Sequence, residues 1–366
     1  MVLFSILSAV VVILLFAMPV GGMCTYFERK VAADFQERIG PNRVGPIGLL
    51  QFFADGIKMF LKEDTITKGA DRFIFNLAPS LVLAGSLGAF ALVPFAKYAI
   101  GADLDIGIFY AMALGSLVSL GILLGAWSSD NKWSLLGGMR GAAQIVSYEI
   151  PLGIAVLSVV TVTGTLSMQG IVGTQAWPSL ATGGGHFWNV FHNPFLLVNF
   201  LIYFIAALAE SNRVPFDLPE AESELVSGFN TEFSGMRFGL YALAEFCDAI
   251  LFCCIATAIF LGGWHLPFVN VDHFELGLKI GSTDLTPLIQ TLLMTGIFLL
   301  KVAVLVFVVM WIRWTLPRLR VDQLMNLCWK YLIPISFFNL LGCAIWVWVF
   351  KGQSMIQIAG HLLGVY

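Results

Sequence analysis

Eight stretches of this 366-residue chain are too apolar to remain in water: 2–22, 74–96, 108–127, 142–164, 194–209, 239–262, 286–312 and 330–350. Runs of about 20 apolar residues match the thickness of a bilayer's hydrocarbon core. A backbone crossing that core must satisfy its own hydrogen bonds, so runs of this length fold as helices. The expected fold is an all-α polytopic membrane protein of about eight transmembrane helices, a single integral membrane domain over 1–366. Composition agrees: 58% of residues are hydrophobic and 12% charged, about half the charged share of a soluble domain. A net charge of -3 implies neither nucleic acid nor another polyanionic partner. The first 22 residues hold no Lys or Arg and no A-x-A cleavage pattern, so 2–22 reads as a retained first helix rather than a signal peptide.

Positive charge sets the sidedness. The loops at 23–73, 128–141, 210–238 and 313–330 carry sixteen of the twenty Lys and Arg residues, whereas the other side has Lys97, Lys279 and Lys351. The positive-inside rule makes the basic side cytoplasmic and puts both termini outside. All five histidines, His186, His192, His265, His273 and His361, fall at the outer side or its edge, so no span offers two axial haem ligands. The run Gly183-Gly184-Gly185 reads as loop. The six cysteines include no C-x-x-C pair, which leaves no zinc or iron–sulfur set and favours core packing. No metal site or nucleotide motif is expected in this chain.

Residues 44–63, VGPIGLLQFFADGIKMFLKE, are too polar to span. Gln51, Asp55, Lys58 and Lys62 recur at helical spacing, with Phe52, Phe53, Ile57, Phe60 and Leu61 between them. This is the pattern of an amphipathic helix lying along the cytoplasmic interface, and by itself it needs no role beyond anchoring.

Ionisable groups inside spans are costly and mark function. Glu149 stands two residues before Pro151, Glu245 and Asp248 share one helical face, and Lys301 lies mid-span in 286–312, where it needs a buried anion or water. The cytoplasmic loop 210–238 adds Glu210, Asp217, Glu220, Glu222 and Glu224, with only Arg213 among them to offset the charge. Part of this has a local explanation. Asp217-Leu218-Pro219-Glu220 has the form of a capping box with Pro in the first turn. That leaves Glu210, Glu224 and the membrane acids behind them. Carboxylates brought together where water is scarce titrate as a unit, which suits a proton relay through Glu149, Glu210, Asp217, Glu220, Glu222, Glu224, Glu245 and Lys301.

Four blocks now carry a resemblance: ERKVAADFQERIGPNRVGPIGLLQFFADGIKMFLKED at 28–64, LLGGMRGAAQIVSYEIP at 135–151, AESNRVPFDLPEAESELVSGFNTEFSGMRFGLYALAEF at 209–246 and RWTLPRLRVDQLMNLCWKYLIP at 313–334. The chain resembles, over essentially its whole length, the H-subunit family of bacterial proton-pumping NADH:quinone oxidoreductase. The mitochondrial counterpart is the first membrane subunit of respiratory complex I. The resemblance implies a heel subunit of the bacterial inner membrane, joined to quinone-module subunits of the peripheral arm and to small membrane-arm subunits. It implies a quinone chamber open to lipid, with Arg29, Arg38, Phe53, Asp55, Lys58 and Arg213 around it, and quinone as substrate. FMN and iron–sulfur clusters belong to partner subunits, and none is held here. Glu149, Glu210 and Glu245 match the family's membrane acids, and Asp217, Glu220, Glu222 and Glu224 its acidic loop. Val321 departs from the family pattern, in which an aromatic usually follows Arg-x-Arg. Three rivals stand beside this reading: the homologous subunit of an energy-converting hydrogenase or formate hydrogenlyase, a proton-coupled transporter, and a passive anchor. A transporter predicts an internal repeat, and the sequence shows none.

Overall fold

The structure, a computed structural model, describes residues 8–176, 188–219, 222–267, 279–280, 283–284, 286–351, 353–355 and 357–358. Seven helices among these are long and apolar enough to cross a membrane: α1 (Ser8–Phe35), α3 (Arg72–Phe90), α4 (Gly107–Ser128), α5 (Lys132–Thr163), α9 (Gly235–Ile259), α10 (Thr286–Thr315) and α11 (Val321–Phe350). A shorter apolar helix, α7 (Pro194–Glu210), brings the number to the eight expected. Three helices do not span: α2 (Gln51–Leu61), α6 (Met168–Thr174) and α8 (Glu222–Leu225). The described residues add one two-stranded antiparallel pairing, Lys279–Ile280 with Thr283–Asp284.

Several helices outrun their apolar windows. Hydropathy marks only the part of a helix that lipid touches, and a local cap or a polar partner can carry it further. α5 begins at Lys132 rather than 142 because the Asn131 side chain accepts from the Trp133 amide at 3.0 Å. α1 runs on to Phe35 instead of ending at 22, and this extension carries Glu28 and Arg29. α11 starts at Val321, not 330, and passes through a π-helical stretch at Leu327–Leu332. Two other starts were written in the sequence. Asp71 caps α3 by accepting from Phe73, and Asn193 caps α7, ahead of Pro194, by accepting from Leu196 at 2.6 Å.

The amphipathic helix is shorter than 44–63. Its first part is a 3-10 turn, Pro46–Gly48, with Ile47 in the left-handed region at φ 58, and the α-helix proper is Gln51–Leu61. Lys62 sits past the end in extended backbone, so it leaves the face shared by Gln51, Asp55 and Lys58. None of the helix's residues is buried, and Phe53, Ile57, Phe60 and Leu61 are exposed.

α9 is the most buried of the spans and packs against α1, α2, α3, α7 and α10. Small side chains make this possible, since membrane helices gain stability from close approach. At Gly21 of α1, an added Cβ would come within 2.7 Å of Cys247 Sγ on α9. All six cysteines are free and buried, as core-packing residues are.

Candidate functional site

The four basic loops meet at one end of the bundle. Arg237 pairs with Asp64 at 3.0 Å, Asn131 donates to Glu232 at 2.6 Å, and the Thr65 amide donates to Ser234 at 3.0 Å. At this end the loop after α7 is held down by Gln144 of α5. The Gln144 Nε2 donates to the carbonyls of Ala209 and Phe216, both at 2.7 Å, and to Asn212 Oδ1 at 3.3 Å.

The loop acids are not left with Arg213 alone. Asp217 pairs with Arg318 at 2.6 Å and Glu224 with Arg140 at 2.7 Å. Arg213 itself turns away to Glu28 at 3.0 Å, and Arg313 takes the other oxygen of Glu28. The arginines that pair with loop acids come from α5 and from the segment after α10. They are distant in sequence, so a local count of charge missed them. The Asp217 carboxylate accepts from Arg318, and the capping box expected between Asp217 and Glu220 falls outside the described residues. Glu220 and the Glu222 side chain lie outside the described residues, as do Gly183-Gly184-Gly185, His186, His273 and His361.

Cavities border α9 on two sides. On one side Phe246, Ala249 and Ile250 face a small pocket that also holds Cys24, Glu28, Arg213 and Arg313. Sharing Cys24, Ile250, Val306 and Met310 with it, an apolar cleft of about 400 Å³ runs between α1, α9 and α10, lined further by Phe16, Phe27 and Phe307. Arg213 is buried, its guanidinium 4.1 Å from the centre of the Phe246 ring. Of the residues expected around a chamber, Arg213 alone lines this pair of cavities. Arg29 and Lys58 instead pair with Asp55, at 2.7 and 3.8 Å. Arg38 donates to Gln36, and Phe53 lies against Phe52 with ring centres 3.9 Å apart.

On the other side Asp248, Leu251, Phe252 and Ile255 face a second cavity of about 20 Å³, room for about one water. It is lined by Glu210, Tyr203, Gly115 and Ile108 among others. Glu210 is buried, with Oε2 lacking a hydrogen-bond partner among the described residues. Glu149 and Asp248 are close enough to act on it electrostatically, and Glu245 similarly reaches Arg313. The expected acids therefore fall into two groups. Glu210 and Asp248 line the cavity with Glu149 within electrostatic reach of Glu210, and Glu245 stands with the Glu28 cluster. Lys301 joins neither. Its ammonium has three backbone carbonyls as partners, those of Leu261, Gly263 and His265, in place of the anion or water expected from its mid-span position.

The sequence and this geometry have clear relatives. Residues 7–344 match the family model described as NADH dehydrogenase. The chain belongs to the NADH dehydrogenase family. It is 47% identical to the NADH-quinone oxidoreductase H subunit of Anaeromyxobacter dehalogenans, over 95% of this chain and 83% of that one. It is 48% identical to the corresponding H subunit of Chlorobaculum parvum, over 92% and 90%. A relative from Rhodothermus marinus, NADH-quinone oxidoreductase subunit 8, is 43% identical over 89% and 92%. Family membership accounts for the four motif blocks, which are the segments that build this end of the bundle. Glu28, Arg313, Arg318, Arg140 and Gln144 lie in those blocks too, yet sequence reasoning assigned none of them a role. The one signal available was at Arg313, which directly follows the apolar run 286–312.

Proposed function

We propose that this chain is the membrane subunit of a proton-translocating NADH:quinone oxidoreductase, and that it couples quinone reduction to proton movement. The observation that carries this is the division of α9. One face borders an apolar cleft ending in Glu28, Arg213 and Arg313, and the other borders the acid cavity of Glu210 and Asp248. A cleft of about 400 Å³ between membrane helices suits an isoprenoid tail. Its polar end offers guanidinium donors to a quinone headgroup or to the charge that forms on reduction. A change of charge there acts across a single helix on the acids, because Glu245 and Asp248 lie one turn apart on it.

In this reading Glu149, Glu210 and Glu245, with Asp217, Glu220, Glu222 and Glu224 of the loop, carry the proton or its signal. Arg29, Arg38, Phe53, Asp55 and Lys58 form the exposed rim that peripheral-arm subunits cover. FMN and iron–sulfur clusters remain in those partners, and small membrane-arm subunits receive the output. The basic end faces the cytoplasm of a bacterial inner membrane, with both termini outside. The relatives bear the name NADH-quinone oxidoreductase, which favours this reading over the hydrogenase alternative.

A photoreactive quinone analogue tests the cleft in the assembled, NADH-active complex. Labelling of Phe27 or Phe307, competed by native quinone, is expected. Labelling confined to α2 would move the tail to the interfacial helix and remove the argument from α9.

A further inference from the structure

α9 ends at Ile259, and its chain continues irregularly through residues 260–267, where its carbonyls meet the mid-span Lys301 of α10. A helix end leaves carbonyls without intrahelical donors, and within a bilayer the protein itself must satisfy them. Here they are met in succession. Gln175 donates to Ala258 O at 2.9 Å, Asn189 to Ile259 O at 2.7 Å, and the Val190 amide to Phe260 O at 3.2 Å. Lys301 then donates to Leu261 O at 2.7 Å, Gly263 O at 2.8 Å and His265 O at 2.6 Å. The Trp188 indole also reaches His265 O, at 3.1 Å, and its ring lies 4.4 Å from the Lys301 ammonium.

Three acceptors around one nitrogen require three N–H donors, which only the charged ammonium has. The three carbonyls thus favour the charged form of Lys301, and none of them is a group that takes up a proton. The position follows from the helix. The acid cavity reaches Ile255, six residues before Leu261, or about 9 Å along a helix axis. Lys301 and its carbonyls therefore lie just past the cavity's far end, on the side away from the Glu28 cluster.

We propose that Lys301, together with Gln175, Asn189 and Trp188, forms a dry and positively charged plug. It prevents protons that enter the acid cavity from leaving through the far face of this subunit, so that they pass to neighbouring subunits instead. This rests on the reading that Glu210 and its neighbours carry protons. A cation here repels an arriving proton, and carbonyls that each already have a protein donor have less need of water. Lys301 is thus a positioning residue rather than a member of the relay.

The test uses the purified complex in liposomes without NADH, following decay of an imposed pH gradient. Lys301→Met and Gln175→Met are each expected to speed the decay by about tenfold, and Lys301→Arg, which keeps the charge, to stay tight. Adding Glu210→Gln to either Met variant should close the leak. A leak that survives Glu210→Gln would keep the plug and refute Glu210 as the inner end of the path. Decay unchanged in assembled Lys301→Met and Gln175→Met complexes would overturn the plug. Should neither variant assemble, hydrogen exchange in the parent complex decides: slow exchange at the Val190 and Gly262 amides supports a dry plug, and exchange at the rate of open loops refutes it.

Discussion

Replacing Glu28 with Ala is the sharpest structural perturbation available. Glu28 is buried between two guanidiniums, Arg213 at 3.0 Å and Arg313 on its other oxygen. The loss falls unequally on the two. Arg313 is about one-third exposed (32%) and has Glu245 and Asp217 within electrostatic reach. Arg213 is buried, donates to no other carboxylate among the described residues, and has its Nε without a partner. Two unit charges about 4 Å apart interact by about 4 kcal/mol at an effective dielectric of about 20. Removing one partner of a buried pair costs about 3–5 kcal/mol, because the other charge is stranded. The lower figure applies here, since Arg313 retains water and other acids. If the cluster opens before the complex inactivates, about 3 kcal/mol off the barrier shortens the thermal half-life by about 100-fold. Detergent-purified complex, assayed for residual NADH:quinone activity after timed heating, provides the readout. Removing the stranded charge as well, in Glu28→Ala/Arg213→Met, should recover part of the loss. A half-life for Glu28→Ala within about twofold of the parent, roughly 0.4 kcal/mol, would refute the claim that this cluster holds the loop end together.

Three further outcomes follow from the same geometry. Glu224→Gln disturbs a half-exposed pair, so stability should change by less than about 1 kcal/mol; a drop in both quinone reduction and proton pumping in normally assembled complex would then report function, and full coupled activity would remove Glu224 from the account. Gln144→Met should loosen the loop by about 2 kcal/mol, because buried carbonyls at Ala209 and Phe216 lose a donor, visible as faster hydrogen exchange over 211–219. Gly137→Ala places a Cβ 2.8 Å from the Gly228 backbone, which cannot swing aside as a side chain would, and should cost about 1–3 kcal/mol and lower the amount of assembled complex in membranes.

The membrane architecture was legible because lipid imposes one rule on every span: length and hydropathy placed all eight helices. Helix ends were less legible, because what prolongs α1 is a pair of arginines some 185 and 285 residues further along the chain. The acidic loop shows the same limit. Read locally, Glu210 to Glu224 looks like uncompensated charge, and Asp217 looks like a helix cap. In three dimensions Arg318 and Arg140 neutralise two of these acids, and Asp217 is the partner of Arg318. Glu210 is the loop acid that lines a buried cavity, together with Asp248. Lys301 was legible as anomalous but not as caged. Its partners are backbone carbonyls, which leave no trace in residue identity.

The central claim is that charge formed in the cleft on one side of α9 changes protonation at the acids on the other. Redox-triggered infrared difference spectroscopy on the whole complex, comparing the parent with Glu210→Gln, measures this directly. A carboxyl band should shift on quinone reduction in the parent and be missing in Glu210→Gln. Identical difference spectra from the two, with quinone reduced in both, would contradict the account.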